Sequence, residues 1–191
     1  MGTASSSSPS DIADNFKEIT GRIHNAAEKW ARVPAEGDLI SVSKRQSVEA
    51  IEVALSLGHR HFGENRVQEA QEKWPDLKAR YPDIELHLIG PLQTNKAKDA
   101  VALFDVIQTV DRHKLARVLA KEMIAAGRHL PVYSQVNTGK EEQKAGVFPE
   151  DADSFITECR EGLGLNVIGL MCIPPVEEQP APHFALLGKI A

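Results

Sequence analysis

The chain has 191 residues, 42% hydrophobic and 26% charged, with 22 Lys and Arg against 27 Asp and Glu, a formal net charge of −5. That length suffices for one domain with a sizeable core, and mildly acidic, interspersed charge excludes a general nucleic-acid or anionic-membrane binder. No apolar run reaches the ~18–20 residues that a membrane span needs.

Met1 to Ser10 is Gly/Ser-rich, with neither the basic nor the apolar region of a secretory signal, so residues 1–10 read as a disordered tail. Ile12, Phe16, Ile19, Ile23, Ala27 and Trp30 then recur at spacings of three and four. They predict an amphipathic helix over residues 11–32, with Ser10 as N-cap and Pro34 and Gly37 as its end. A regular alternation follows. Leu39–Lys44 reads as a strand and Val48–Leu57 as a helix closed by Gly58. His59–Asn65 is a second strand, before a helix through Val67 and Ala70 that stops ahead of Pro75. Glu85–Gly90 is a third, followed by a helix around Lys96–Leu103.

Val106–Val110 reads as the fourth strand, with Asp111 capping a helix that Gly127 ends. Pro131–Val136 is the fifth. A charged loop with Gly139 and Gly146 leads into a helix bearing Phe155, Ile156 and Cys159. Asn166–Met171 is the sixth strand, and four prolines connect it to a last helical stretch, Phe184–Ala191. The two cysteines, Cys159 and Cys172, form neither a disulfide framework nor a metal knuckle, which favours a reducing, cytoplasmic setting.

Strands alternating with helices mean a parallel sheet, because parallel pairing needs crossover connections. An open doubly wound sheet and a (β/α)8 barrel both satisfy the pattern. Strands start about every 25 residues, so a closed barrel needs roughly 230–240 residues, and length alone favours the open sheet. The first βα junction, Lys44-Arg45-Gln46-Ser47, has no glycine, which argues against a dinucleotide-binding fold.

Polar residues collect at the C-terminal strand ends, where both architectures place their sites. Lys44 reads either as a solvated surface lysine or as a desolvated amine able to attack a carbonyl. Asn65 reads as a helix N-cap, and Lys144 lies in a charged loop that is solvated or reaches over an anionic ligand. His59 and His61 share a strand face but lie at its beginning, the stabilising end of a barrel, and no metal site is expected.

Taken in order, eight segments resemble the pyridoxal-phosphate homeostasis protein family, itself similar to the barrel domain of alanine racemases. They are Val42-Ser43-Lys44, His61-Phe62-Gly63-Glu64-Asn65, Val67-Gln68-Glu69-Ala70, His87 through Lys96, Val110-Asp111-Arg112, Gln135-Val136-Asn137, Lys144-Ala145-Gly146, and Ile168 through Pro174. The resemblance implies a (β/α)8 TIM barrel with pyridoxal 5′-phosphate (PLP) held as an aldimine on Lys44, Asn65 beside the pyridine ring and Lys144 near the cofactor. It implies cofactor buffering or delivery to PLP-dependent apo-enzymes without catalytic turnover, by a cytoplasmic protein expected to be a monomer. The alternative is a PLP-dependent amino-acid racemase. That chemistry needs a second acid/base, usually a tyrosine, and Tyr81 and Tyr133 lie away from the strand ends. Family members continue through two more βα units that grip the cofactor's phosphate. Residues 11–191 therefore read as a single domain holding about six of eight strands and incomplete at its C-terminus.

Overall fold

The computed structural model describes residues 9–30 and 37–191. Six strands, β1 (Ser41–Val42), β2 (His61–Glu64), β3 (Glu85–Leu88), β4 (Val106–Val110), β5 (Pro131–Gln135) and β6 (Asn166–Met171), pair in parallel. Their order in the sheet is their order in the chain. Right-handed crossovers between successive neighbours put every connecting helix on the same face. A doubly wound sheet must instead reverse its strand order at a switch point. The sheet is therefore an arc of a (β/α)8 barrel, and it does not close: β1 and β6 each pair on one side only among the described residues.

The helices are α1 (Pro9–Trp30), α2 (Val48–Ser56), α3 (Val67–Arg80), α4 (Ala97–Leu103), α5 (His113–Ala126), α6 (Ala152–Thr157) and α7 (Pro180–Ile190). The core lies between sheet and helices. Phe62, Leu86, Leu88, Ile107 and Val132 point outward from the sheet onto Trp74, Leu77, Phe104, Leu115, Leu119 and Phe155. Each such fully buried side chain contributes about 1.5–3 kcal/mol relative to exposure. The opposite parity, with Val42, Gly63, His87 and Tyr133, lines the inside of the arc.

Several sequence expectations shift. α1 starts at Pro9, so Ser10 lies inside the helix rather than capping it, while residues 1–8 and Pro34 lie outside the described residues. Proline suits a first helical turn, whose N–H has no partner to lose. β1 is only two residues long, because the ladder with β2 pairs only Ser41 and Val42. α3 runs through Pro75 instead of stopping before it. Pro75 is exposed, and full burial of Trp74 and Leu77 on the opposite side holds the helix across the lost hydrogen bond. Asp111 does not cap α5; the N-cap position belongs to Arg112, whose side chain makes no capping bond. Gly127 ends α5 in the left-handed conformation, φ +62°. α7 begins at Pro180 rather than at Phe184.

Candidate functional site

Parallel register decides which strand-end residues meet. Ser41 pairs with Phe62 and Val42 with Gly63, and the Ser43 N–H continues the ladder by donating to the Gly63 carbonyl at 3.0 Å. The ladder ends there: the Ser43 carbonyl accepts from the Gln46 N–H at 3.1 Å, so Lys44 opens a turn just past β1, as Asn65 lies just past the neighbouring β2.

The backbone on either side of Lys44 is pinned from the helix side. Glu64 is fully buried, and three donors converge on its Oε1: Ser43 Oγ at 2.9 Å, Trp74 Nε1 at 3.1 Å and Lys73 Nζ at 2.7 Å. Lys73 also donates to the Ser43 carbonyl and to Glu69 Oε1, both at 2.9 Å. Burial pushes the Glu69 carboxyl up, but the hydrogen bond it accepts from the Arg45 N–H, together with the Lys73 ammonium, outweighs that and holds it below the usual range. Arg45 adopts φ +60°, a left-handed conformation that side-chain-bearing residues avoid at a cost of about 1–3 kcal/mol. A buried ion pair and a strained residue thus bracket one lysine.

Lys44 itself is exposed, so the desolvated amine the sequence suggested is not what this arrangement provides. β1 is an edge of the arc, with a neighbour on one side only. Among the described residues Lys44 enters no ion pair, whereas Lys73, Lys78, Lys96, Lys140 and Lys144 all do.

Asn65 is half-buried and does not cap α3, since Arg66 occupies the N-cap position. Its backbone packs directly against Gly90, beyond β3. A Cβ at Gly90 would lie 2.3 Å from the Asn65 carbonyl oxygen, so only glycine fits there. The Gly90 carbonyl accepts from Thr109 Oγ1 at 2.9 Å, which ties the β3 and β4 ends together. A cleft of about 710 Å³ opens beside Asn65, lined by Arg66, Gln68, Glu69, Leu92, Gln93 and Lys96 among others. Arg112 donates at 2.8 Å to the carbonyl of Leu92, which lines the cleft, and pairs with Asp111. Burial pushes the Asp111 carboxyl up, opposed by the Arg112 guanidinium.

Lys144 comes from the loop after β5. Asn137 organises that loop, donating to the Glu141 carbonyl at 2.8 Å and accepting from the Glu141 N–H at 3.2 Å. Gly146, at φ +118°, lets the chain return against Asn137, whose backbone nitrogen would be 2.6 Å from any Cβ. Lys144 is paired with Glu141, and no hydrogen bond or ion pair joins it to Lys44 or Asn65 among the described residues. The fold therefore puts Lys44 and Asn65 just past the C-terminal ends of the paired strands β1 and β2, and Lys144 in the loop after β5. Sequence reasoning missed Lys73, Glu69 and Trp74. The one available signal was a carboxylate, Glu64, on the helix-facing parity of a strand.

The family model of the alanine racemase N-terminal domain matches residues 12–187. The chain belongs to that family. Within it, a Pseudomonas aeruginosa protein named pyridoxal phosphate homeostasis protein is 38% identical over 177 residues, covering 92% of this chain and 76% of that protein. PipY of Synechococcus elongatus, solved without PLP, superposes with a TM-score of 0.79 at 34% identity, covering 94% of this chain and 80% of PipY. The same protein with PLP bound gives a TM-score of 0.76 at 31% identity, covering 94% of this chain and 81% of that one. A Clostridium difficile alanine racemase matches with a TM-score of 0.64 at 14% identity, covering 93% of this chain and 47% of the racemase, a likeness of fold alone.

Proposed function

We propose that this protein binds PLP at the C-terminal end of the sheet and serves in vitamin B6 homeostasis rather than in catalytic turnover. One observation carries the reading: Lys44, exposed and outside every ion pair among the described residues, follows β1 as Asn65 follows the neighbouring β2, on a backbone that a buried ion pair holds in place. The residues fit the group. An aldehyde needs a primary amine that no carboxylate has captured, and Glu64, the acid nearest in sequence to Asn65, is turned to the helix side and tied to Lys73. PLP supplies an electrophilic aldehyde and an electron-withdrawing ring. Lys44 supplies the amine, Asn65 borders the ring, and Gly90 keeps the Asn65 backbone in place. Lys144 reaches the cofactor only after leaving Glu141.

Names and similarity support homeostasis over racemisation. Relatives at 34–38% identity carry the homeostasis name, whereas the racemase likeness stops at the fold. Racemisation also needs an acid/base on each side of the substrate carbon. Tyr133 is mid-strand, its ring packed on Gly169, and Tyr81 closes α3 on the helix side. Delivery to apo-enzymes, a monomeric state and a cytoplasmic place belong to the same proposal. Among the described residues no helix is long and apolar enough to cross a membrane.

The test is borohydride reduction of the purified full chain after incubation with PLP, followed by peptide mapping. A visible absorption band that bleaches, with the adduct on Lys44, is the expected result. An adduct on Lys96, Lys140 or Lys144, or no adduct, overturns it.

A further inference from the structure

The sheet register assembles a second group of side chains that the cofactor reading does not use. In the β2–β3 pair, His61 stands opposite Glu85 and Gly63 opposite His87. Strand alternation places all four on one face. The other parity, Phe62 and Leu86, is buried under the helices, so His61, Glu85 and His87 converge on the inside of the arc. His87 Nε2 is 2.9 Å from Glu85 Oε1, and His61 Nδ1 is 3.5 Å from the same oxygen. All three ligand atoms lie within 4.8 Å of one another. His87 is 5% exposed, and its Nε2, despite that short approach, makes no hydrogen bond of proper alignment.

We propose that His61, Glu85 and His87 form a divalent transition-metal site, with Zn2+ the best-matched ion. Two imidazoles and one carboxylate are a zinc donor set, whereas Ca2+ and Mg2+ take oxygen ligands almost alone. Tetrahedral zinc with bonds of ~2.0–2.2 Å places its ligand atoms about 3.4 Å apart, inside the spread observed here. Three protein ligands leave the fourth position to water.

The outer contacts suit this arrangement. His87 Nδ1 lies 3.1 Å from Gln108 Nε2 on β4. A cation on Nε2 leaves the proton on Nδ1, and a half-turn of the Gln108 amide presents its oxygen to accept that proton. Sequence spacing hid the site. His59-x-His61 suggests the wrong pair, because the His59 ring turns outward onto Phe16 and Phe62 and meets the His61 carbonyl at 2.6 Å. The other two ligands, Glu85 and His87, come from the next strand, 24 and 26 positions along the chain from His61, and only the ladder brings them near.

His61 and Glu85 open β2 and β3, about 13 Å along the strand from Asn65, and none of the three residues belongs to the proposed PLP site, so this site stands or falls independently of PLP binding. The untagged full chain, stripped with a chelator, is titrated with ZnCl2 against a colorimetric zinc indicator, and with CoCl2 for its visible spectrum. The expected result is one equivalent of Zn2+ bound and tetrahedral Co2+ bands. Glu85→Gln and His61→Ala, both at partly exposed positions that tolerate substitution, should each weaken binding at least tenfold, as should His87→Gln. Cys172→Ser should leave it unchanged. Absence of stoichiometric zinc, or affinity unaltered in Glu85→Gln and His61→Ala, overturns the proposal.

Discussion

Lys73 Nζ stands 2.7 Å from Glu64 Oε1, and both side chains are tied to Ser43, the residue that precedes Lys44. Breaking a buried pair from one side leaves an uncompensated charge, which costs about 3–5 kcal/mol. Lys73 keeps a tenth of its side-chain surface in solvent, so Lys73→Met is expected near 3 kcal/mol, the low end of that range. Glu64→Gln retains a hydrogen-bonding group and should lose less, about 1–3 kcal/mol. Urea unfolding midpoints measure both. Equal midpoints for wild type and Lys73→Met would show that the pair does not hold this end of the sheet.

Gly90→Ala is expected to destabilise by about 1–3 kcal/mol, because the new methyl meets rigid backbone rather than a side chain that can turn away. The displaced residue is Asn65, so PLP uptake should fall together with the melting temperature. Gly127→Ala gives a comparison: its surroundings are open and only its φ of +62° resists, so it should cost stability without affecting uptake.

Lys44→Ala should change stability by less than about 0.5 kcal/mol, since the side chain is exposed, yet abolish the reducible PLP adduct. Asn65→Asp is nearly isosteric, and with no capping role to lose its midpoint should also hold. A new carboxylate beside the cofactor ring should instead move the visible band or its pH dependence. An unmoved spectrum at full occupancy would remove Asn65 from the site.

Burial pushes the Cys159 thiol up to about 11, with Glu158 adding to the effect. The folded pKa exceeds the unfolded value of 9.0, so this contribution to stability is complete below pH 9 and is lost as pH rises through about 11. At pH 8, thiol-alkylating reagents should therefore modify half-buried Cys172 first and reach Cys159 only on unfolding. Timed alkylation with mass mapping gives the order; simultaneous loss of both thiols in native buffer would contradict it.

Much of the chain's order was legible in advance. β4 and β6 have the bounds that their apolar runs predict, and α5 ends at Gly127 as its stop signal reads, while α2 stops at Ser56 with Leu57 as its C-cap, one residue before Gly58. Local signals failed where a tertiary contact outweighed them. Pro75 stays within α3 because Trp74 and Leu77 are anchored in the core, and neither Asn65 nor Asp111 caps the helix that follows it.

The sequence by itself determined the number and order of the strands, the parallel sheet and the placing of Lys44 and Asn65 at strand ends, because hydrophobic period and turn residues report local backbone conformation. Only the tertiary structure decided that the strands follow one another around an arc, that Glu64 turns its carboxylate to Lys73, and that Glu85 joins His61 and His87. Those facts depend on cross-strand register and on helix-to-sheet packing between residues far apart in the chain. No local period encodes them, since a shift of one residue in pairing would turn every one of these side chains to the other face.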